Sequence, residues 1–121
     1  MPKLSIITVC LNSSISIERT IRSVINQSFQ NYEYLIIDGG SNDGTIAIIQ
    51  KYLNKISYFK SEPDNGIYNA LNKGIKASKG EYLFFLNSGD IIYNLYTLER
   101  AIDLSLNSDI CYGDIIFNLN Q

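Results

Sequence analysis

Seven polar side chains each follow an apolar stretch of the chain: Asn12, Asp38, Glu62, Asp64, Asn87, Asp90 and Asp114. If the stretches are strands of one parallel sheet, these residues meet along a single edge. Acids gathered there repel one another, so the arrangement calls for a cation among them. A divalent metal carrying a diphosphate meets the need, because Mg²⁺ and Mn²⁺ take oxygen ligands and the phosphates complete the shell. Each residue also has a plainer role. Asp38 could cap the turn after it through an Asx bond, Asn12 could be a turn residue, and Glu62 and Asp64 could be solvated in their Pro/Gly stretch. Asp90 could be a helix N-cap, and Asp114 reads as structural. Joint placement is what favours chemistry. The chain has no His, which excludes Ser/His/Asp and Cys/His nucleophilic catalysis and His-based zinc sites.

The elements that must position these groups follow from periodicity. Residues 4–10, rich in β-branched side chains, predict a first strand. Ile17, Ile21, Val24 and Ile25 recur at helical spacing, so residues 16–27 are an amphipathic helix with Ser14 or Ser16 available as its cap. A buried strand over 34–38 leads into Gly39-Gly40, and the helix after that turn carries Ile46, Ile49 and Leu53 on one face. A shorter strand, 56–61, ends at Glu62-Pro63-Asp64-Asn65-Gly66, a turn sequence. Ile67, Leu71 and Ile75 mark a helix over 67–77, stopped near Gly80. Leu83 to Leu86 form an unbroken apolar run, which predicts a strand covered on both faces in the middle of the sheet. Leu95, Leu98, Ile102 and Leu106 mark another helix, and residues 110–112 a fifth strand. Alternation of strand and helix with short connections points to an α/β fold, a Rossmann-like, doubly wound, mostly parallel sheet with helices on both faces. The loop at Gly39-Gly40 matches neither a dinucleotide fingerprint nor a P-loop, so plain turn chemistry accounts for it.

The 121 residues suit one domain, 1–121, and 45% hydrophobic with 18% charged residues is the composition of a folded chain. Net charge is −2 with no basic tract, which argues against a nucleic-acid partner. No apolar run reaches the length of a membrane span and no signal-peptide pattern opens the chain, so a cytoplasmic location is expected. Cys10 and Cys111, far apart and without CxxC spacing, read as buried small hydrophobes in a reducing compartment.

The order of motifs resembles the N-terminal, nucleotide-sugar-binding half of a family 2 glycosyltransferase with the GT-A fold. The resemblance runs from Leu4 to about Asp114. It rests on Ser5-Ile-Ile-Thr-Val-Cys-Leu-Asn12, Arg22-Ser-Val-Ile-Asn-Gln-Ser-Phe29 and Ile36-Ile-Asp-Gly-Gly-Ser-Asn-Asp-Gly-Thr45. Asn65-Gly-Ile-Tyr-Asn-Ala-Leu-Asn-Lys-Gly74, Ala77-Ser-Lys-Gly-Glu-Tyr82 and Leu86-Asn-Ser-Gly-Asp90 continue it. It implies an inverting transfer of sugar from a nucleotide-diphosphate donor, a UDP-sugar, to a saccharide or lipid-linked acceptor in cell-surface polysaccharide synthesis. Thr8, Asn12 and Asp38 then fall where such enzymes hold uracil and ribose, and Asp64 flanks the base. Asn87 and Asp90 cover the Asp-x-Asp segment that holds Mg²⁺ or Mn²⁺ on the diphosphate, with Asp90 the metal ligand and Asn87 its helper. The resemblance also allows peripheral membrane association of a full enzyme, and leaves an oligomer open.

Departures from the pattern temper that implication. Gly39 stands where many members carry a second Asp, Asn69 where many carry Asp, and Asn87 and Gly89 replace the usual metal-segment acids. An amide oxygen ligates a hard cation without contributing charge, so metal binding is expected to be weakened or absent. The family's general base has no match in these residues. Two alternatives therefore stand beside the transferase: a nucleotide-sugar-binding module without turnover, and a receiver-like signalling domain with Asp38 as phosphoacceptor. No strand-end Lys supports the latter.

Overall fold

The structure, a computed structural model, describes residues 2–104. Leu106, the strand expected at 110–112, Cys111 and Asp114 lie outside the described residues. Four strands, β1 (Leu4–Cys10), β2 (Tyr32–Asp38), β3 (Tyr58–Ser61) and β4 (Tyr82–Phe85), alternate with helices α1 (Ile17–Ile25), α2 (Thr45–Gln50), α3 (Ile67–Ala77) and α4 (Thr97–Leu104). All strand pairs are parallel and the sheet order is β3-β2-β1-β4. The chain thus steps outward from β1 to β2 and β3, then returns to β4 on the other side of β1. The order reverses at β1, which is where open α/β sheets leave a crevice beyond their carboxyl ends.

β1 is buried at every position, as a central parallel strand between two helical layers must be. Its alternate residues serve two cores. Leu4, Ile6 and Cys10, with Tyr34 and Ile36 of β2, pack against Ile17, Ile21 and Val24 of α1, Ile49 of α2 and Leu98 of α4. On the opposite face Ile7, Val9, Leu35 and Ile37 pack against Ala70, Leu71 and Ala77 of α3. Each fully buried Ile contributes about 1.5–3 kcal/mol of transfer free energy. α3 lies close to the sheet, since a Cβ on Gly74 would stand 2.6 Å from Ile7 Cγ2. The doubly wound arrangement is therefore present, with α1, α2 and α4 on one face and α3 on the other.

β4 departs from expectation. Among the described residues it is an edge strand, and Leu83 and Phe85 are 42% and 45% exposed. α3 packs on β1 and β2, so the α3-side face of β4 is left uncovered by the described helices. Among the described residues β1 and β2, not β4, are the strands enclosed on both faces. No helix among the described residues is long and apolar enough to cross a membrane.

Candidate functional site

The loops that follow β1 and β2 are clasped together by reciprocal hydrogen bonds. Asn12 occupies the left-handed region at φ 49°, a conformation asparagine tolerates better than most residues. Its backbone N–H donates to Ser41 Oγ at 2.7 Å, and its Oδ1 accepts from the Asn42 N–H at 3.0 Å. Ser13 N–H donates to Thr45 Oγ1 (2.7 Å) and Ser14 N–H to Asp43 Oδ2 (3.2 Å). The Thr45 hydroxyl and N–H donate to Asp43 in turn. These hydrogen bonds, the Thr45 hydroxyl first, hold the Asp43 carboxyl at about 2.

Asp38 organises the same loop from beneath. Its side chain is 0% exposed, yet it accepts five hydrogen bonds. The Gly40 and Ser41 N–H groups and the Ser61 hydroxyl reach Oδ2 at 3.1, 2.8 and 2.7 Å. The Ser41 hydroxyl and the Cys10 thiol reach Oδ1 at 2.5 and 3.3 Å. Burial pushes this carboxyl up, but the Ser41, Ser61 and Cys10 hydrogen bonds outweigh burial and leave it below the ordinary range. A carboxylate offers about four lone-pair sites, so Asp38 is saturated from within the protein. Burial, with the Asp38 charge beside it, pushes the Cys10 thiol far up, and the thiol stays protonated.

At the end of β4 the backbone pairing continues. Leu86 N–H donates to Ile7 O and Ser88 N–H to Val9 O, which fixes Asn87 beside the end of β1. Residues 87–90 then form a β-turn, closed by Asp90 N–H to Asn87 O at 3.0 Å, with Gly89 at φ +99° in the position that demands it. A polar stripe along α1 and its two flanks, at residues 16, 20, 23 and 27, grips this loop. Ser16 Oγ meets Ser88 Oγ at 3.3 Å, and Gly89 N–H donates to Thr20 Oγ1 at 3.0 Å. Ile92 N–H donates to Ser23 Oγ, while buried Gln27 donates to Asn94 O and accepts from Leu98 N–H. Ser16 itself makes no side-chain cap on α1.

Between these loops opens a hollow of about 410 Å³, lined by Val9, Cys10, Leu11 and Ser13 after β1, Asp64, Gly66, Ile67 and Ala70 at the start of α3, and Asn87 and Ser88 after β4. Its size and mixed lining are those of a small-molecule site. Of the residues singled out from sequence, Asp64 and Asn87 line it. Asp64 accepts one hydrogen bond among the described residues, from the Gly66 N–H at 3.1 Å. Asn87 Oδ1 is buried and finds no hydrogen-bond partner among the described residues. Asn12 is exposed and spent in the clasp without lining the hollow, and Asp38 is sealed. Thr8 faces the α1 core, where its hydroxyl pairs with the Tyr34 hydroxyl at 2.9 Å. Val9, on the opposite face of β1, and Cys10 at the strand's end line the hollow instead. Asp90 is exposed and caps no helix. Glu62 pairs with Lys73 at 3.0 Å and Lys60 at 3.6 Å, and Asn69 Oδ1 accepts from the Asn65 N–H. Among the described residues no group of three or more His, Cys, Asp or Glu side chains is placed to hold a metal ion.

A family model for glycosyl transferase family 2 matches residues 5–117. The chain belongs to this family. The family 2 assignment agrees with two curated relatives. An uncharacterized glycosyltransferase of Mycobacterium tuberculosis is 39% identical over 103 residues, covering 84% of this chain and 39% of its own. The poly(ribitol-phosphate) beta-N-acetylglucosaminyltransferase TarP of Staphylococcus aureus is 37% identical over 124 residues, covering 93% of this chain and 36% of its own. Among solved structures, S. aureus TarS 1–349 in complex with UDP-GlcNAc superposes with a TM-score of 0.79 at 30% identity, over 85% of this chain and 31% of that 1–349 chain. The fold is the GT-A type of these family 2 enzymes. The chain spans less than half the length of these relatives.

Proposed function

We propose that this family 2 chain forms the donor-binding portion of a transferase that moves a sugar from a UDP-sugar to a saccharide or lipid-linked saccharide acceptor, inverting the anomeric centre, in cell-surface polysaccharide synthesis on the cytoplasmic side. The observation that carries the reading is the hollow at the point where the strand order reverses, with Asp64 on its β3 side and Asn87 on its β4 side. The likeness to TarS, solved with UDP-GlcNAc, supports a nucleotide-sugar in this position. Asp64 and Asn87 contact the donor. Asn12 and Asp38 hold the wall that the donor rests against, and Thr8 supports β1 from the other face.

The residues present fit a Mg²⁺ or Mn²⁺ ion of modest affinity. Asn87 supplies a hard oxygen that is buried and without a partner among the described residues, and Asp90 follows on the same turn, in line with Mg²⁺ sites built from one or two carboxylates and substrate phosphates. An ion held by Asp90 and Asn87 would neutralise charge on the departing diphosphate. The chain's own residues bind the nucleotide, fix its two ends and keep the loop backbone in place. A thermal-shift panel of UDP, GDP, dTDP and CMP, with and without Mn²⁺, tests the reading, because a ligand that binds the native state raises its melting point. UDP with Mn²⁺ should give the largest rise; a melt unmoved by every nucleotide refutes the proposal. A module that binds without turnover is favoured by the single carboxylate at 87–90, and a donor-hydrolysis assay separates the two.

A further inference from the structure

α3 packs chiefly on β1 and β2, which leaves a gap between it and β3, an edge strand among the described residues. Phe59 of β3 packs into the core on the α1 side, so strand alternation turns Tyr58 and Lys60 toward the α3 side. There they meet Lys73, Lys76 and Ala77 of α3 around a second hollow of about 360 Å³. It shares no lining residue with the first hollow. Glu62 Oε1 takes both Lys73 Nζ, at 3.0 Å, and Lys60 Nζ, at 3.6 Å, which draws two ammonium groups onto one carboxylate oxygen. Lys76 is exposed and forms no ion pair among the described residues. Three cations thus face one acid. The surroundings add to the imbalance: residues 51–79 hold six Lys against two acids, Glu62 and Asp64, a net charge of +4 in a chain of net −2.

Ammonium groups so gathered repel one another, and a cleft lined by one sign of charge concentrates ions of the other. Flexible four-carbon stems let the three lysines close on a small anion, and the Tyr58 hydroxyl adds a donor that is not charged. A single carboxylate would leave one surplus cation unanswered. A phosphate monoester or a diphosphate brings two or more charges and several acceptor oxygens, and lysine binds phosphate as a point charge. We propose that the hollow between β3 and α3 is a phosphate-binding site separate from the donor hollow, with Lys60, Lys73 and Lys76 as its cations. It takes a phosphate monoester or diphosphate group, free in solution or on a lipid headgroup. The site stands on its own residues, whatever the first hollow holds.

The test titrates inorganic pyrophosphate into the chain by calorimetry, in EDTA so that no metal-bound diphosphate enters the donor hollow. The wild type should bind it saturably. The triple variant Lys60→Gln, Lys73→Gln, Lys76→Gln should weaken it about tenfold or more, as loss of hydrogen bonds to charged groups does. A control of equal charge, Lys3→Gln, Arg19→Gln, Arg100→Gln, should stay within about twofold, since exposed charges beyond a Debye length are screened. Lys76→Glu, at an exposed position outside any described ion pair, should weaken binding in the same sense and guards against a folding defect in the triple variant. Vesicles of phosphatidylcholine with phosphatidic acid form the second arm. Vesicle binding that the triple variant loses, with no binding of pyrophosphate, assigns the phosphate to a lipid headgroup; the converse assigns it to a soluble ligand. Either supports the site, as does binding in both arms. No binding in either arm, or equal weakening by the triple variant and its control, overturns it. The melting shift with UDP and Mn²⁺ should survive in the triple variant; its loss there, in a folded protein, would merge the two hollows and overturn their separation. A wild type without that shift counts against the donor reading alone.

Discussion

Asp38 offers the most demanding check on the account of the site, because it is argued to act on the loop and not on a ligand. Replacing it with Asn preserves one oxygen, enough for the Gly40 and Ser41 N–H groups and the Ser61 hydroxyl now on Oδ2. It also sets an amide N–H₂ where the Ser41 hydroxyl and Cys10 thiol donate; both of those groups turn about a single bond and adapt. The main loss is charge assistance, since hydrogen bonds to charged groups contribute about 1.5–3 kcal/mol and neutral ones about 0.5–1.5. The relief of burying a carboxylate offsets part of it, so Asp38→Asn should cost about 1–3 kcal/mol. Asp38→Ala abandons all five donors, two of them backbone N–H groups that cannot turn away, and should cost about 3–5 kcal/mol, a large share of a domain's stability. Urea unfolding followed by circular dichroism at pH 7 measures both. The two variants also report on pH. The folded carboxyl lies below its ordinary value of 3.8, so the unfolded chain takes up the proton first. Its stabilisation is complete above that value and is lost as pH falls from there toward the folded pKa. Asp38→Asn should lack that part of the acid dependence. If Asn and Ala both fall within about 0.5 kcal/mol of wild type, the range of an ordinary surface change, the loop does not depend on Asp38 and the reasoning fails.

The remaining expectations are more local. Gly74→Ala drives a methyl to within 2.6 Å of Ile7 Cγ2 and should cost about 1–3 kcal/mol by overpacking; in an Ile7→Ala background the added cost should shrink, read from the same urea curves. Asn87→Ala removes a buried oxygen with no partner among the described residues, so the melting point should hold while the Mn²⁺-dependent part of the UDP shift falls. Asp90→Asn should likewise abolish the Mn²⁺-dependent increment and leave the metal-free UDP shift in place. A full Mn²⁺ effect in Asp90→Asn would remove Asp90 from the metal site.

Where local signals agreed, the chain was legible. β1 and α3 run over the expected residues, Leu4–Cys10 and Ile67–Ala77, because β-branched density fixes the former while Pro63 and Gly66 before it and Gly80 after it bracket the latter. β4 is at the edge among the described residues, and an unbroken apolar run looks the same at the edge as in the middle of a sheet, because what covers it is decided by residues remote in sequence. Thr8 shows a different gap. Strand alternation puts it on the face of Ile6 and Cys10, but a strand buried on both sides carries no mark of which of its last residues line the hollow beyond its end. Asp38 reads alike whether it serves a ligand or a loop, since its donors are spread over residues 10 to 61. The polar spacing of Ser16, Thr20, Ser23 and Gln27 along α1 and its flanks was available and went unread, being masked by the stronger apolar stripe beside it.

The clasp between the loops after β1 and β2 makes the two sides of the hollow unequal. One jaw is stitched crosswise by side chains and backbone and locked beneath by a sealed carboxylate, so it is set before any guest arrives. The opposite jaw, around Asp64, is held differently: the Gly66 N–H donates to Asp64, the Asn65 N–H to Asn69 Oδ1 and the Glu62 N–H to Asp38 O, and Glu62 pairs with Lys73. Whatever ordering the Asp64 side undergoes on binding adds to the entropic cost of recognition. Stiffening that segment would tighten binding without adding one new contact to the guest.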